Sequence, residues 1–155
     1  MQRGFTIIEL LVTLAILAVL ATVAAPLVQI AAQRQKEDEL RRALWSIRDA
    51  IDAYKAAGDA GKFDRAPGDS GYPPKLDTLV AGVVDKTNPA GARIYFLRRV
   101  PRDPMCDCPS KSDEQTWGKR SYASPPESPG EGNDVYDVYS LSEGAGLNGI
   151  PYRKW

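Results

Sequence analysis

The sequence contains no histidine. Histidine is the most common general base in enzymes and the usual partner of a nucleophilic serine or cysteine, so its absence excludes the ordinary catalytic triads and dyads. Only two cysteines are present, Cys106 and Cys108, and a structural zinc site would need two further nitrogen or sulfur ligands. We therefore predict that the protein is not an enzyme.

An excess of charge of one sign is also missing, since 20 Lys and Arg residues balance 20 Asp and Glu residues. No basic surface of the kind that contacts phosphates stands out, and no nucleic-acid partner is expected. Charge is absent altogether from Leu10 to Gln33, a run of 24 residues. About 20 apolar residues suffice to cross the hydrocarbon core of a bilayer. The sequence therefore predicts one membrane-spanning helix followed by one soluble domain.

One acidic residue, Glu9, lies at the edge of this apolar segment. A carboxylate in hydrocarbon costs about 2.5–3.5 kcal/mol on insertion scales. A cleaved secretory signal, with TVAAP (22–26) as its cleavage site, and an ordinary uncleaved anchor are two interpretations of the segment. Neither of them explains Glu9 or the Gly4-Phe5 pair that precedes it.

The segment RGFTIIELLVTLAILAVLATVAAP (3–26) resembles the N-terminal signal of type IV pilins and of type II secretion pseudopilins. This resemblance implies that a prepilin peptidase cuts after Gly4 and that the new N-terminal residue, Phe5, is N-methylated. Pro26 matches a proline common in the helix of these proteins, and it should bend or locally loosen the helix because it removes one backbone donor. In an assembled filament, Glu9 would pair with the Phe5 amine of a neighbouring subunit, because a buried carboxylate needs a cationic partner.

Apolar residues then recur on one helical stripe at steps of four, three, four and three, typical of an amphipathic helix. The stripe consists of Leu40, Leu44, Ile47, Ile51 and Tyr54. We expect it to pack on a sheet of the same chain; a coiled coil is the alternative, although the pattern covers only about two heptads. The charges on the other faces are expected to be solvated, with Glu37 and Arg41 paired at i, i+4. Gly58 and Gly61 predict the end of the helix.

The remaining sequence predicts a small α+β domain. A short helix is predicted at 76–84 and strands at 92–100, 117–124 and 133–142, the last two rich in aromatic and β-branched residues. Two or three of these strands would form a small antiparallel sheet against the long helix, as in pilin-like folds. The predicted organisation is a leader at 1–4, a transmembrane and assembly helix at 5–26, an amphipathic continuation at 27–57 and a periplasmic domain at 58–155.

Four segments of this domain are similar, in order and spacing, to the major (G-type) pseudopilin of type II secretion: GYPP (71–74), VPRDP (100–104), WGKRSY (117–122) and DVYSLSEGAGLNG (137–149). The resemblance implies a structural subunit of a periplasmic pseudopilus whose polymerisation drives export of folded proteins. The alternative is a type IV pilin or minor pilin that serves adhesion, motility or DNA uptake.

The same resemblance implies the protein's location and partners. The chain would cross the inner membrane once, with a cytoplasmic N-terminus and a periplasmic C-terminal domain. It would form a helical homo-oligomer with copies of itself and with other pseudopilins. Further partners would be the prepilin peptidase, the inner-membrane assembly platform and the outer-membrane secretin.

Two smaller features remain open at this stage. G-type pseudopilins often bind calcium in a C-terminal loop, and the oxygen ligands available here are Asp134, Asp137, Ser142, Glu143 and Asn148. Their spacing fits no recognisable calcium loop, and solvated turn residues are the alternative interpretation. In an oxidising periplasm Cys106 and Cys108 would form a local disulfide, remain a thiol pair or link two molecules.

Overall fold

The computed structural model of the protein describes residues 4 and 6–155, without the side chains of 23–26. The chain divides into two compact units, Met1–Lys36 and Glu37–Trp155. Helix α1, Ile7–Asp59, contributes to both units. It runs through the whole uncharged segment from Leu10 to Gln33 and ends near Gly58, in agreement with the predicted long helix.

The C-terminal end of α1 is fixed by hydrogen bonds beyond its last turn. Gly61 adopts a φ of +71°, which favours glycine. The Gly61 N–H donates to the Gly58 carbonyl at 3.0 Å, and the Lys62 N–H donates to the Ala57 carbonyl at 3.1 Å. These two bonds define a Schellman motif, in which carbonyls that the helix leaves unpaired are satisfied. The stop predicted at these glycines is therefore confirmed.

The core of the second unit is built on the predicted stripe of α1. All five stripe residues are buried, with Leu40 and Ile47 fully so. They form one apolar cluster with residues from the rest of the unit, among them Leu76, Leu79, Trp117, Val138 and Tyr152. The prediction of packing within the chain is confirmed. Because this cluster already covers the stripe, the stripe is not free to form a coiled coil.

The first sheet lies next to a short helix. Helix α2, Leu76–Ala81, is followed by β1, Val83–Val84, which pairs antiparallel with β2, Arg93–Ile94. The strand predicted at 92–100 is thus much shorter than expected. The reason is that the next backbone groups turn away from the sheet: the N–H groups of Phe96 and Leu97 both donate to the Leu79 carbonyl, at 3.1 and 3.0 Å.

The second sheet is formed by β3, Trp117–Arg120, and β4, Asp137–Ser140. These strands pair antiparallel, with Trp117 opposite Ser140 and Gly118 opposite Tyr139. Only glycine fits at 118, since a Cβ there would lie 2.4 Å from the Tyr139 ring. Both strands lie within the predicted ranges. The described residues form two separate two-stranded sheets rather than the one sheet expected.

Candidate assembly site

The N-terminal half of α1 presents an uncovered apolar surface. Every described side chain from Ile7 to Ile30 is exposed, including Ile7 at 80% and Val19 at 66%. Among the described residues, α1 is the one helix that is long and apolar enough to cross a membrane. A helix that is apolar on all sides must be buried by something outside its own chain, either lipid or other helices. The surface is therefore suited to membrane insertion and to helix–helix packing.

Glu9 lies in the first turn of this helix. Its backbone N–H donates to the Thr6 hydroxyl at 3.3 Å, and the Leu10 N–H donates to the Thr6 carbonyl at 3.2 Å. Thr6 is thus the N-cap of α1. A carboxylate in the first turn is favoured by the partial positive charge of the helix N-terminus. Glu9 therefore lies at the position in the helix where a negative charge is best tolerated. It also lies on the part of α1 that the rest of the chain leaves exposed.

Several predicted site residues fall outside what the structure describes. Gly4 is described and exposed. Phe5, residues 1–3 and the Pro26 side chain lie outside the described residues. Leader cleavage after Gly4, methylation of Phe5 and the kink at Pro26 therefore stay predictions.

Cys106 and Cys108 form a disulfide across one intervening residue, with 5.3 Å between their Cα atoms. Arg102 holds the loop around it: its guanidinium donates to the Cys108 carbonyl and, at 2.9 Å, to the Lys111 carbonyl. Asp103, 1% exposed, anchors the start of the loop by accepting hydrogen bonds from the Met105 N–H and the Ser140 hydroxyl. The loop is therefore tied to strand β4 by side-chain contacts.

The calcium candidates are engaged in other contacts. Asp137 accepts from Arg48 Nε at 2.8 Å through Oδ1 and from an Arg120 terminal nitrogen at 3.4 Å through Oδ2. Asp134 accepts from the Tyr122 N–H at 2.8 Å. Within residues 4 and 6–155, no group of three or more Asp, Glu, Cys or His side chains is arranged to hold a metal ion. Calcium prefers six to eight oxygen ligands, so this donor set does not fit the ion.

The Asp77 carboxyl, which lies outside this region, has a raised pKa. Asp77 and Glu114 line a groove of about 510 Å³, and repulsion from the Glu114 carboxylate raises the pKa of Asp77. Such shifts occur in active sites but also in structural ion-pair networks. Here Glu114 forms an ion pair with Lys119 at 3.0 Å, which is typical of the second case.

Comparison with known proteins identifies the N-terminal motif and the family of the chain. The family profile described as "Prokaryotic N-terminal methylation motif" matches residues 1–25. Type II secretion system core protein G of Klebsiella pneumoniae is 30% identical to the chain over 154 residues, which cover 97% of the chain and 88% of that protein. The chain belongs to the type II secretion system core protein G family. The resemblance read from the two sets of motifs is thereby confirmed.

Another core protein G supports the same assignment over a shorter range. The protein of Dickeya chrysanthemi is 33% identical over 107 residues, which cover 66% of the chain and 63% of that protein. The match thus spans less than two thirds of the Dickeya protein. No solved structure matches the chain significantly.

Glu37 and Arg48, two residues of α1 that were expected to be solvated, have specific partners in this core protein G chain. The expectation that Glu37 is solvated is wrong: it is buried and accepts hydrogen bonds from the C-terminal segment. Arg41 lies 3.7 Å from Asp38. Arg48 pairs with Asp137, 89 residues away. No local pattern points to such distant partners. Thr6 could have been found, because T-x-x-E before an apolar run is a capping-box spacing.

We predict that the disulfide is present in the protein isolated from its membrane. The intact mass should lie two hydrogen masses below that of the reduced chain, and alkylation should require prior reduction. Replacing both cysteines with serine should cost only about 1–2 kcal/mol of stability, because the bond closes a very short loop. A chain that is alkylated without reduction would contradict the prediction.

Proposed function

We propose that the protein is a structural subunit of a type II secretion pseudopilus, a periplasmic filament whose polymerisation drives export of folded proteins. The observation that carries the proposal is an uncovered apolar helix with a single acid in its first turn. Membership of the core protein G family supports it. The subunit would act mechanically, by adding to the base of a filament.

Assembly would proceed by transfer of the apolar helix from lipid to a bundle of like helices. Lipid and neighbouring helices are comparably apolar, so the transfer gains little from hydrophobic burial. Glu9 would supply the specificity, since its carboxylate costs free energy in hydrocarbon and is satisfied by the Phe5 amine of another subunit. This pairing would also fix the axial register of neighbouring helices.

The proposed topology places residues 1–4 in the cytoplasm and the second compact unit in the periplasm. Two features of the chain support this orientation: a basic residue, Arg3, precedes the span, and the second unit contains a disulfide, which persists in oxidising compartments. The proposed partners are other pseudopilins, a prepilin peptidase, an inner-membrane platform and an outer-membrane secretin.

We predict that the mature chain begins at Phe5. Mass spectrometry of the protein from its native membrane should show a chain that lacks residues 1–4 and carries one additional methyl group. Gly4→Leu should block this processing, because the peptidase must approach the backbone at this position. The matched control is Gly130→Leu, at a half-buried position with open space around its Cα and an ordinary φ. A chain beginning at Met1, or near position 27, would contradict the proposal.

A further inference from the structure

The last twelve residues of the chain, 144–155, fold back on helix α1. The resemblance to G-type pseudopilins implies calcium in this region, yet the acids present do not converge on one point. Two of the candidate ligands instead accept hydrogen bonds from protein groups: Asp137 from Arg48 and Arg120, and Asp134 from the Tyr122 N–H.

The backbone of the segment satisfies most of its own hydrogen bonds. The Gly146 N–H donates to the Ile150 carbonyl at 2.9 Å, and the Tyr152 N–H donates to the Gly144 carbonyl at 3.0 Å. Ala145 and Pro151 face each other as an isolated antiparallel bridge. These contacts close 144–152 into a compact loop that presents its inner face to α1.

Glu37 binds this loop from the helix. It is only 5% exposed, and its Oε1 accepts from the Leu147 N–H at 2.9 Å and from the Tyr152 hydroxyl at 3.1 Å. Hydrogen bonds to a charged acceptor are stronger than those between neutral groups. A carboxylate of α1 therefore directly bonds two groups of the loop, one in the backbone and one in a side chain.

Arg48 binds the end of the segment and strand β4 at once. One of its terminal nitrogens donates to the Trp155 carbonyl at 2.8 Å and to the Val138 carbonyl at 3.2 Å. Its Nε donates to Asp137 Oδ1 at 2.8 Å. In addition, the Arg41 guanidinium stacks on the Trp155 ring, 4.5 Å from the ring centre. The Arg48 guanidinium thus pairs with Asp137, which is one of the candidate calcium ligands.

We propose that Glu37 and Arg48 replace calcium in this chain: they clasp the C-terminal segment to α1, so that the domain folds and keeps its structure without a metal ion. In the clasp, the acid Glu37 is on helix α1 and binds the C-terminal loop, while the cation Arg48 binds Asp137. A calcium site would instead need acids on the C-terminal segment that are free of protein cations. This inference concerns the stability of the domain and does not depend on the proposed filament function.

The test compares the full-length protein in detergent in EDTA and in about 10 mM calcium. Extracellular calcium modules bind with Kd of about 10⁻⁴–10⁻³ M, so this concentration would raise the Tm of a calcium-binding domain by several degrees. We expect the Tm and the amide hydrogen exchange of 144–155 to be the same in both solutions. A calcium-dependent rise in Tm, or slower exchange in this segment with calcium, would overturn the proposal.

The second arm of the test removes the clasp. Glu37→Ala should increase amide exchange at Leu147 about tenfold or more, because the charged acceptor of its N–H is lost. Glu37→Gln, which retains an acceptor oxygen, should give a smaller increase and remain folded. Glu39→Ala is the matched control, because Glu39 is exposed on the same helix. Unchanged exchange at the Leu147 amide in both Glu37 variants would also overturn the proposal.

Discussion

Replacing Glu9 with glutamine is expected to abolish pseudopilus assembly while membrane insertion and the folded domain remain intact. The substitution removes a charge from the apolar segment, so insertion into lipid should become easier rather than harder. The amide keeps the shape of the side chain and leaves the Thr6 cap in place, because the cap uses the Glu9 backbone N–H. What the variant lacks is a charge that can pair with the Phe5 amine of a neighbour.

The expected effect is large because an unpaired charge is left behind. Breaking a buried ion pair by removal of one partner costs about 3–5 kcal/mol. Each 1.4 kcal/mol is a factor of about ten in an equilibrium constant, so each subunit contact should weaken by about two to three orders of magnitude. A polymer repeats this loss at every subunit, and filaments should therefore disappear rather than shorten.

The measurement is the amount of filament recovered from cells that overproduce the subunit, together with the activity of secreted proteins in the medium. Glu9→Asp, which retains the charge, should recover part of the assembly. Thr13→Val is the matched control one turn further on, because the Thr13 hydroxyl donates to the Leu10 carbonyl of its own helix. Normal filaments from Glu9→Gln would show that the carboxylate has no role in assembly.

The sequence was most informative where structure is determined locally. The stripe from Leu40 to Tyr54 follows the helical period, and a face that is apolar at this spacing must be buried. The helix stop at Gly58 and Gly61 was equally predictable, because a positive φ at a helix end requires a residue such as glycine. The N-terminal motif predicted the family because one acid and one Gly-Phe pair must coincide with a long apolar run.

Partners separated by about 100 residues could not be predicted. Glu37 bonds to Tyr152 and Arg48 to Asp137. The helical period places Glu37 on the buried stripe, three residues before Leu40, but no local pattern identifies either partner. The division into two sheets was missed for a similar reason. It depends on the Leu79 carbonyl, which accepts from the chain after β2 and so ends that strand early.

Trp117→Ala is expected to destabilise the second compact unit severely. Trp117 is 2% exposed, and its Nε1 donates to the Pro101 carbonyl at 2.7 Å. Truncation of a buried tryptophan costs about 3–5 kcal/mol, since apolar contacts are lost and a cavity remains. Natural domains have a total stability of about 5–15 kcal/mol, so this loss takes a large share of it. For a domain of this size, the Tm should fall by on the order of 10–20 °C.

The chain supplies a matched control in a second tryptophan. Trp45 is on helix α1 but 68% exposed, and Trp45→Ala should change the stability by no more than about 0.5 kcal/mol. The loss of stability in Trp117→Phe should lie between those of Trp117→Ala and Trp45→Ala, because phenylalanine keeps an aromatic ring in the core but loses the hydrogen bond to the Pro101 carbonyl. Differential scanning calorimetry of the full-length protein in detergent measures all three variants. Equal and small shifts for Trp117→Ala and Trp45→Ala would mean that the packing between α1 and strand β3 contributes little. In that case the stripe of α1 would need a different partner, and the assignment of the core would fail with it.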